Sequence, residues 1–175
     1  MHERRAFTLV ELLVVIAIIG SISTIAIVSL GASRLQSRNA RRIADIAQLT
    51  RVLYLALDAN GSYPDSSASN SGFACVSATC TGGWAVHLQN ATVNSAISPY
   101  LANKPVDPTG DARGYSGYLF NNNWDGGIAP YDDSVFTAGP YLDYMLENAP
   151  GVSCGQGKIY SKSTTATECM FLINQ

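Results

Sequence analysis

A single acid, Glu11, interrupts a run from Phe7 to Leu30 that carries no other charge. An ionisable side chain in such a run is costly wherever water is absent, so Glu11 is either functional or, one turn into the run, snorkels to an interface. Four cysteines, Cys75, Cys80, Cys154 and Cys169, all fall in the C-terminal part. Their even number suits disulfides formed in an oxidising compartment. Three connectivities are open, and closeness in sequence favours Cys75–Cys80 with Cys154–Cys169. Four thiolates would also suit zinc, but the chain has no Cys-x-x-Cys pair. A third donor group is Asn121-Asn122-Asn123-Trp124-Asp125-Gly126-Gly127 with Asp132-Asp133-Ser134. Hard cations such as calcium take roughly six to eight oxygens, and Asp125, Asp132 and Asp133 would supply the charged ones. That spacing follows no strict motif, and an ordinary polar loop explains it equally well.

Catalysis has little to build on. His87 is the only histidine outside the first six residues, so a nucleophile–base pair or a histidine metal site lacks its parts. It lies in Ala85-Val86-His87-Leu88, a setting for a packed or surface histidine. No glycine-rich phosphate loop is present, and Gly126-Gly127 reads as a turn. Nine acids lie between Ala59 and Gln175, so carboxylates fall close together by chance, and no spacing singles out a dyad.

The charge distribution divides the chain. Its net charge is −2. Between Gly31 and Asp58, Arg34, Arg38, Arg41, Arg42 and Arg51 face only Asp45 and Asp58, a balance of +3. From Ala59 onward four basic residues meet nine acids, a balance of −5. A basic stem carries an acidic head. The stem's arginines suit a solvated face or contact with the acidic head of another copy. Aromatics are not interleaved with them, which argues against nucleic acid.

These groups need elements to position them. Phe7–Leu30 is long enough, at ~1.5 Å per residue, to cross a bilayer core of ~30 Å as a helix. An ordinary secretory signal has a shorter apolar region and a cleavage site after it. Past Leu30 the pattern turns amphipathic, with Ile43, Ile46, Leu49, Leu53 and Leu57 at spacings of three and four. No glycine or proline interrupts Ala32 to Asn60, and Asn60-Gly61 is a stop. This predicts one helix from Phe7 to about Ala59. Short helices are expected at Trp84–Gln89 and Val93–Leu101, followed by a proline-bounded turn at Lys104–Pro108. Strands are expected at Tyr115–Phe120, Tyr141–Leu146 and Cys169–Ile173, with a weaker one at Lys158–Tyr160. The architecture is α+β, a small antiparallel sheet lying on the second half of the long helix.

The string from Arg5-Ala6-Phe7 through Glu11 to Gly20 resembles the N-terminal signal of type IV prepilins and the pseudopilins of type II secretion. It joins a short basic leader, an aromatic start, an acid four residues on and an unbroken apolar helix. The resemblance implies a leader at 1–6 and cleavage by a prepilin peptidase between Ala6 and Phe7. It also implies methylation of the new Phe7 amine and a register-setting salt bridge from Glu11 to that amine on a neighbouring subunit. Residues 7–30 would then form the transmembrane and assembly half of the helix, 31–59 its amphipathic half, and 60–175 the head.

Asn60-Gly61-Ser62-Tyr63-Pro64, Asp107-Pro108 and Gly114–Tyr118 extend the likeness into the head, as in major pseudopilins. Those proteins hold calcium in the region of Asp125, Asp132 and Asp133; no other cofactor is implied. The implied partners are other copies and other pilins, the prepilin peptidase and an inner-membrane assembly platform. The implied location is the cytoplasmic membrane with the head outside, and then a filament. Ala6 replaces the usual glycine, the mid-helix proline is missing, and the arginines after the span run against the positive-inside bias. The competing reading is a signal-anchored extracytoplasmic ligand-binding domain that does not polymerise.

Overall fold

A computed structural model describes residues 7–108 and 114–173, with only the backbone of 24–29. Helix α1 (Leu9–Asn60) is followed by strands β1 (Ala74–Cys75) and β2 (Thr81–Gly82) and by helix α2 (Ala91–Ile97). Then come β3 (Tyr115–Ser116), β4 (Tyr118–Trp124), β5 (Gly127–Ile128), β6 (Val135–Phe136), β7 (Gly139–Glu147), β8 (Lys158–Lys162) and β9 (Ala166–Leu172). The chain divides into two compact units, the first ending at Ser37 and the second beginning at Arg38.

In the second unit, five strands form an antiparallel sheet in the order β1-β4-β7-β9-β8. The helix packs on it through Ile46, Leu49, Val52, Leu53 and Ala56, all buried. Of these, Ile46, Leu49, Val52 and Leu53 meet Tyr118, Phe120, Leu142, Tyr144 and Leu146 from the sheet and Val93 and Ile97 from α2. Each fully buried large apolar side chain stabilises by about 1.5–3 kcal/mol. The expected stripe is thus found at Ile46, Leu49 and Leu53. Ala56 is fully buried and Leu57 only half-buried, because at 3.6 residues per turn position 56 lies closer than 57 to the face of Leu49.

Alternate strand residues point to the other face of the sheet. There Leu119, Met145 and Ala166 lie under Trp84, while Tyr141 and Met170 lie under Ala129 and Phe136.

Several elements differ from expectation for local reasons. Trp84–Gln89 is a series of turns, with Ala85 N–H donating to Gly82 C=O and His87 N–H to Trp84 C=O. Helix α2 starts at Ala91, ahead of the expected Val93, where the Asn90 side chain caps it by accepting from Val93 N–H at 3.1 Å. Ser98 still has helical backbone, and the helix stops there because Pro99 has no N–H to continue the ladder. The strand expected over Tyr115–Phe120 is broken at Gly117, whose φ of 116° only glycine adopts freely. A side chain there would strike Cys80 Sγ at 2.6 Å and Ser77 Oγ at 2.9 Å.

Candidate functional site

The first unit presents its apolar side chains outward. Phe7 is 83% exposed, and Leu9, Val10, Leu12, Leu13, Ile16, Ile19 and Ile22 are exposed as well. Ser21 and Ser23 donate their hydroxyls to the Ile18 and Ile19 carbonyls, so they need no water. Among the described residues, no helix is long and apolar enough to cross a membrane. The expected span to Leu30 includes residues 24–29, whose side chains are outside the description, and Ala6 lies outside the described residues too.

Glu11 is held at the very start of this helix. Its Oε2 accepts from Thr8 N–H and Thr8 Oγ, each at 2.8 Å, while Thr8 Oγ accepts from Glu11 N–H at 3.3 Å. Thr8-x-x-Glu11 is a reciprocal capping box, which satisfies donors that a helix N-terminus leaves open. The sequence showed Glu11 as an anomaly in an apolar run; its spacing to Thr8 was the signal for this local role. Among the described residues only Oε2 is engaged, leaving Oε1 available.

A second polar constellation sits where the helix enters the head. Arg42 is fully buried. Its Nε donates to Asp107 Oδ1 at 2.7 Å and its Nη1 to Glu147 Oε1 at 2.8 Å, with Nη2 donating to the Pro108 carbonyl at 2.7 Å. Arg38 adds a two-pronged pair to Glu147. Asn39 bridges the Glu147 backbone, donating to its carbonyl at 2.8 Å and accepting from its N–H at 3.0 Å. Asp107 Oδ2 accepts from Gly117 N–H at 2.8 Å. Burial alone would raise the Glu147 carboxyl, but the hydrogen bonds and charges of Arg38 and Arg42 outweigh it and hold the group below its ordinary value.

One turn on, Tyr118 donates its hydroxyl to Asp45 at 2.8 Å. Burial raises the titration of both, and the bond to Tyr118 only partly offsets this for Asp45. Of the two expectations for the basic stripe, neither fits Arg38 and Arg42, which are spent on the chain's own head. Their signal was spacing: Arg42, Ile46, Leu49 and Leu53 lie on one helical face.

Residues 1–27 match the prokaryotic N-terminal methylation motif. The chain carries the class III signal typical of type IV pilins and pseudopilins. Neither the curated proteins nor the solved structures contain a match. The motif covers Ala6, Phe7 and Glu11, and the long helix with its antiparallel sheet is a pilin-like α+β arrangement.

Beyond the methylation motif, the remaining candidate residues are all in the head. Cys75–Cys80 and Cys154–Cys169 are disulfides, with Cα–Cα distances of 6.1 and 5.6 Å, and no cysteine is free. The oxygen-donor loop is split by β5 and β6. Asp125, Asp132 and Asp133 are all exposed, and Asp132 accepts from Ser134 N–H at 3.1 Å. Among the described residues no group of three or more His, Cys, Asp or Glu side chains is placed to hold a metal. His87 Nδ1 lies 3.2 Å from the Asn70 carbonyl and 3.3 Å from that of Phe73, a structural hydrogen-bonding position.

Proposed function

We propose that the chain is a structural, non-catalytic subunit of a type IV pilus or pseudopilus filament. The methylation motif over residues 1–27 carries this reading. A prepilin peptidase cuts between Ala6 and Phe7, and the Phe7 amine is methylated. Before assembly, Phe7–Leu30 sits in the cytoplasmic membrane with the disulfide-bearing head outside. During assembly the assembly platform lifts the subunit, and its apolar helix stacks among those of other copies. The outward apolar side chains from Phe7 to Ile22 support this, because in isolation nothing covers them.

Glu11 supplies register. Its Oε2 stays on Thr8, while Oε1 faces the methylated amine of a neighbour as both leave water. The pairing offsets the desolvation that each charge would suffer alone. Mass analysis of the N-terminus tests the reading in a host with a prepilin peptidase. A chain starting at Phe7 with one added methyl group is expected. A leader that stays attached even after Ala6→Gly would overturn it in favour of a signal-anchored domain.

A further inference from the structure

On the helix side of the sheet a groove of about 430 Å³ runs between α1 and the loop after β7. Ile43, Ala47 and Tyr54 form one wall, and Cys154–Gly157 with Phe171 the other. The Cys154–Cys169 disulfide ties that loop to β9. Gly155, at a φ of +61°, brings it close to the helix: a Cβ there would lie 3.3 Å from Ile43 Cγ2. Arg51 stands at the rim, exposed and, among the described residues, without an ion pair. An apolar groove with one unpaired cation on its rim suits an apolar group that travels beside an acid.

The same chain presents such a group. In the β5–β6 hairpin Ile128, Tyr131 and Val135 are 65%, 47% and 66% exposed, and Asp132 and Asp133 lie in its turn, also exposed. The hairpin is anchored. Phe136 packs against Trp124 and Tyr141, and Lys162 Nζ lies 5.6 Å from the centre of the Tyr131 ring. It covers the sheet face that carries Tyr141 and Met170, whereas the groove borders the face that carries Tyr144 and Phe171. Projection and groove therefore lie on opposite faces of one sheet. Joining them between copies is a head-to-tail contact, the kind that propagates into an open helical polymer instead of stopping at a dimer.

We infer that in the filament, on which reading this contact rests, the hairpin of one head seats Ile128 and Tyr131 in the groove of the next copy, with Asp132 and Asp133 facing Arg51. The competing occupant from a second copy is the apolar helix Phe7–Ile22, but its only acid is Glu11, whose free oxygen the filament reading assigns to a neighbour's Phe7 amine. Charge complementarity chooses the hairpin, and rim charges of this kind set partner and register.

The test uses the full chain in cells that assemble it. A benzophenone amino acid replaces Ile128, filaments are irradiated, and the joined peptides are mapped by mass spectrometry. Cross-links to residues 43–54 or 154–157 of a second copy are expected. Arg51→Glu should lower that product about tenfold, since it sets like charges against each other. Combining it with Asp132→Arg and Asp133→Arg should restore the product. If Arg51→Glu fails to fold, the map from the otherwise wild-type chain decides alone. Filaments whose cross-links fall elsewhere, on the apolar helix included, overturn the contact and leave the filament reading standing. A chain that keeps its leader and forms no filament overturns both.

Discussion

Glu11 and Arg42 are charged residues on the same helix, and they stand in opposite conditions. At Arg42 each guanidinium nitrogen donates to an acceptor within the chain, and the side chain is fully buried. Around Glu11 one carboxylate oxygen is satisfied by Thr8, and the apolar side chains from Phe7 to Ile22 are exposed. The second unit pairs its buried charges within itself, whereas the first leaves its described apolar side chains exposed. Burial of a charge is tolerable in either setting only when a partner arrives with it.

Changes at Glu11 break the comparison most sharply. Glu11→Ala is expected to abolish filament recovery while leaving the membrane-bound pool and the melting of the head unchanged. Glu11→Gln separates the two roles, because an amide still accepts from Thr8 N–H but carries no charge. Loss of filaments with Gln assigns the effect to the ion pair; normal filaments with Gln would reduce Glu11 to a helix cap.

At Arg42 the expectation reverses, with the effect on stability. Arg42→Met leaves Asp107 and Glu147 buried and underpaired, which costs about 3–5 kcal/mol. Arg34→Ala, at an exposed position of the first unit, should stay within about 0.5 kcal/mol. Thermal unfolding of the full chain in detergent measures both. Acid titration adds a sign. Because Glu147 titrates below its ordinary value in the fold, its contribution is fully present above the unfolded carboxylate value of 4.5 and is lost as pH falls through the lower folded one. Arg42→Met should flatten that acid limb.

The disulfides sharpen how self-contained the head is. Cys154 and Cys169 are 15 residues apart and Cys75 and Cys80 only 5. In the chain-entropy model, losing the first should cost about 3 kcal/mol and the second about 2 kcal/mol. Paired Cys→Ser variants, compared by melting, check the order; equal losses would point to the native contacts of the bonds instead of the loops they close.

Legibility in the sequence followed the range of the forces. The methylation motif is local, a charge pattern followed by an apolar run, so Phe7 and Glu11 stood out at once. The stripe Ile46, Leu49 and Leu53 is periodic and was equally plain. The partners of Arg42 were not, because Asp107 and Glu147 are separated from it by 65 and 105 residues. The end of β7 brings Glu147 to the helix, and a loop held by Gly117 N–H brings Asp107. The charges of the basic stripe read as solvated or as facing another copy's head, because an arginine at an apolar position has no sequence signal for the acid that meets it. The β5–β6 hairpin was hidden for another reason: each of its strands is two residues long, too short for alternation to register.

One residue in the head resembles the unsatisfied first unit. Asp143 on β7 is buried, and among the described residues its Oδ1 has no hydrogen-bond partner. Its register neighbour on β9 is Met170, and Glu168, two residues before, lies on the same sheet face. Burial first, then the charge of Glu168 and the hydrogen bond to it, push the Asp143 carboxyl well above its ordinary value. A raised acid stabilises fully below its unfolded value of 3.8, and that contribution is lost as pH rises through the folded one. The sign is opposite to that of Glu147. Asp143→Asn keeps the shape and can donate to Glu168 without a charge, so it should stabilise the head at pH 7 by about 1 kcal/mol. On a chain of this size that is a rise of roughly 2–4 °C in melting temperature. The advantage should shrink toward pH 4, where the wild-type carboxyl regains its proton. A variant that gains nothing at pH 7 would mean that Asp143 is already satisfied, and the head would then complete itself without exception.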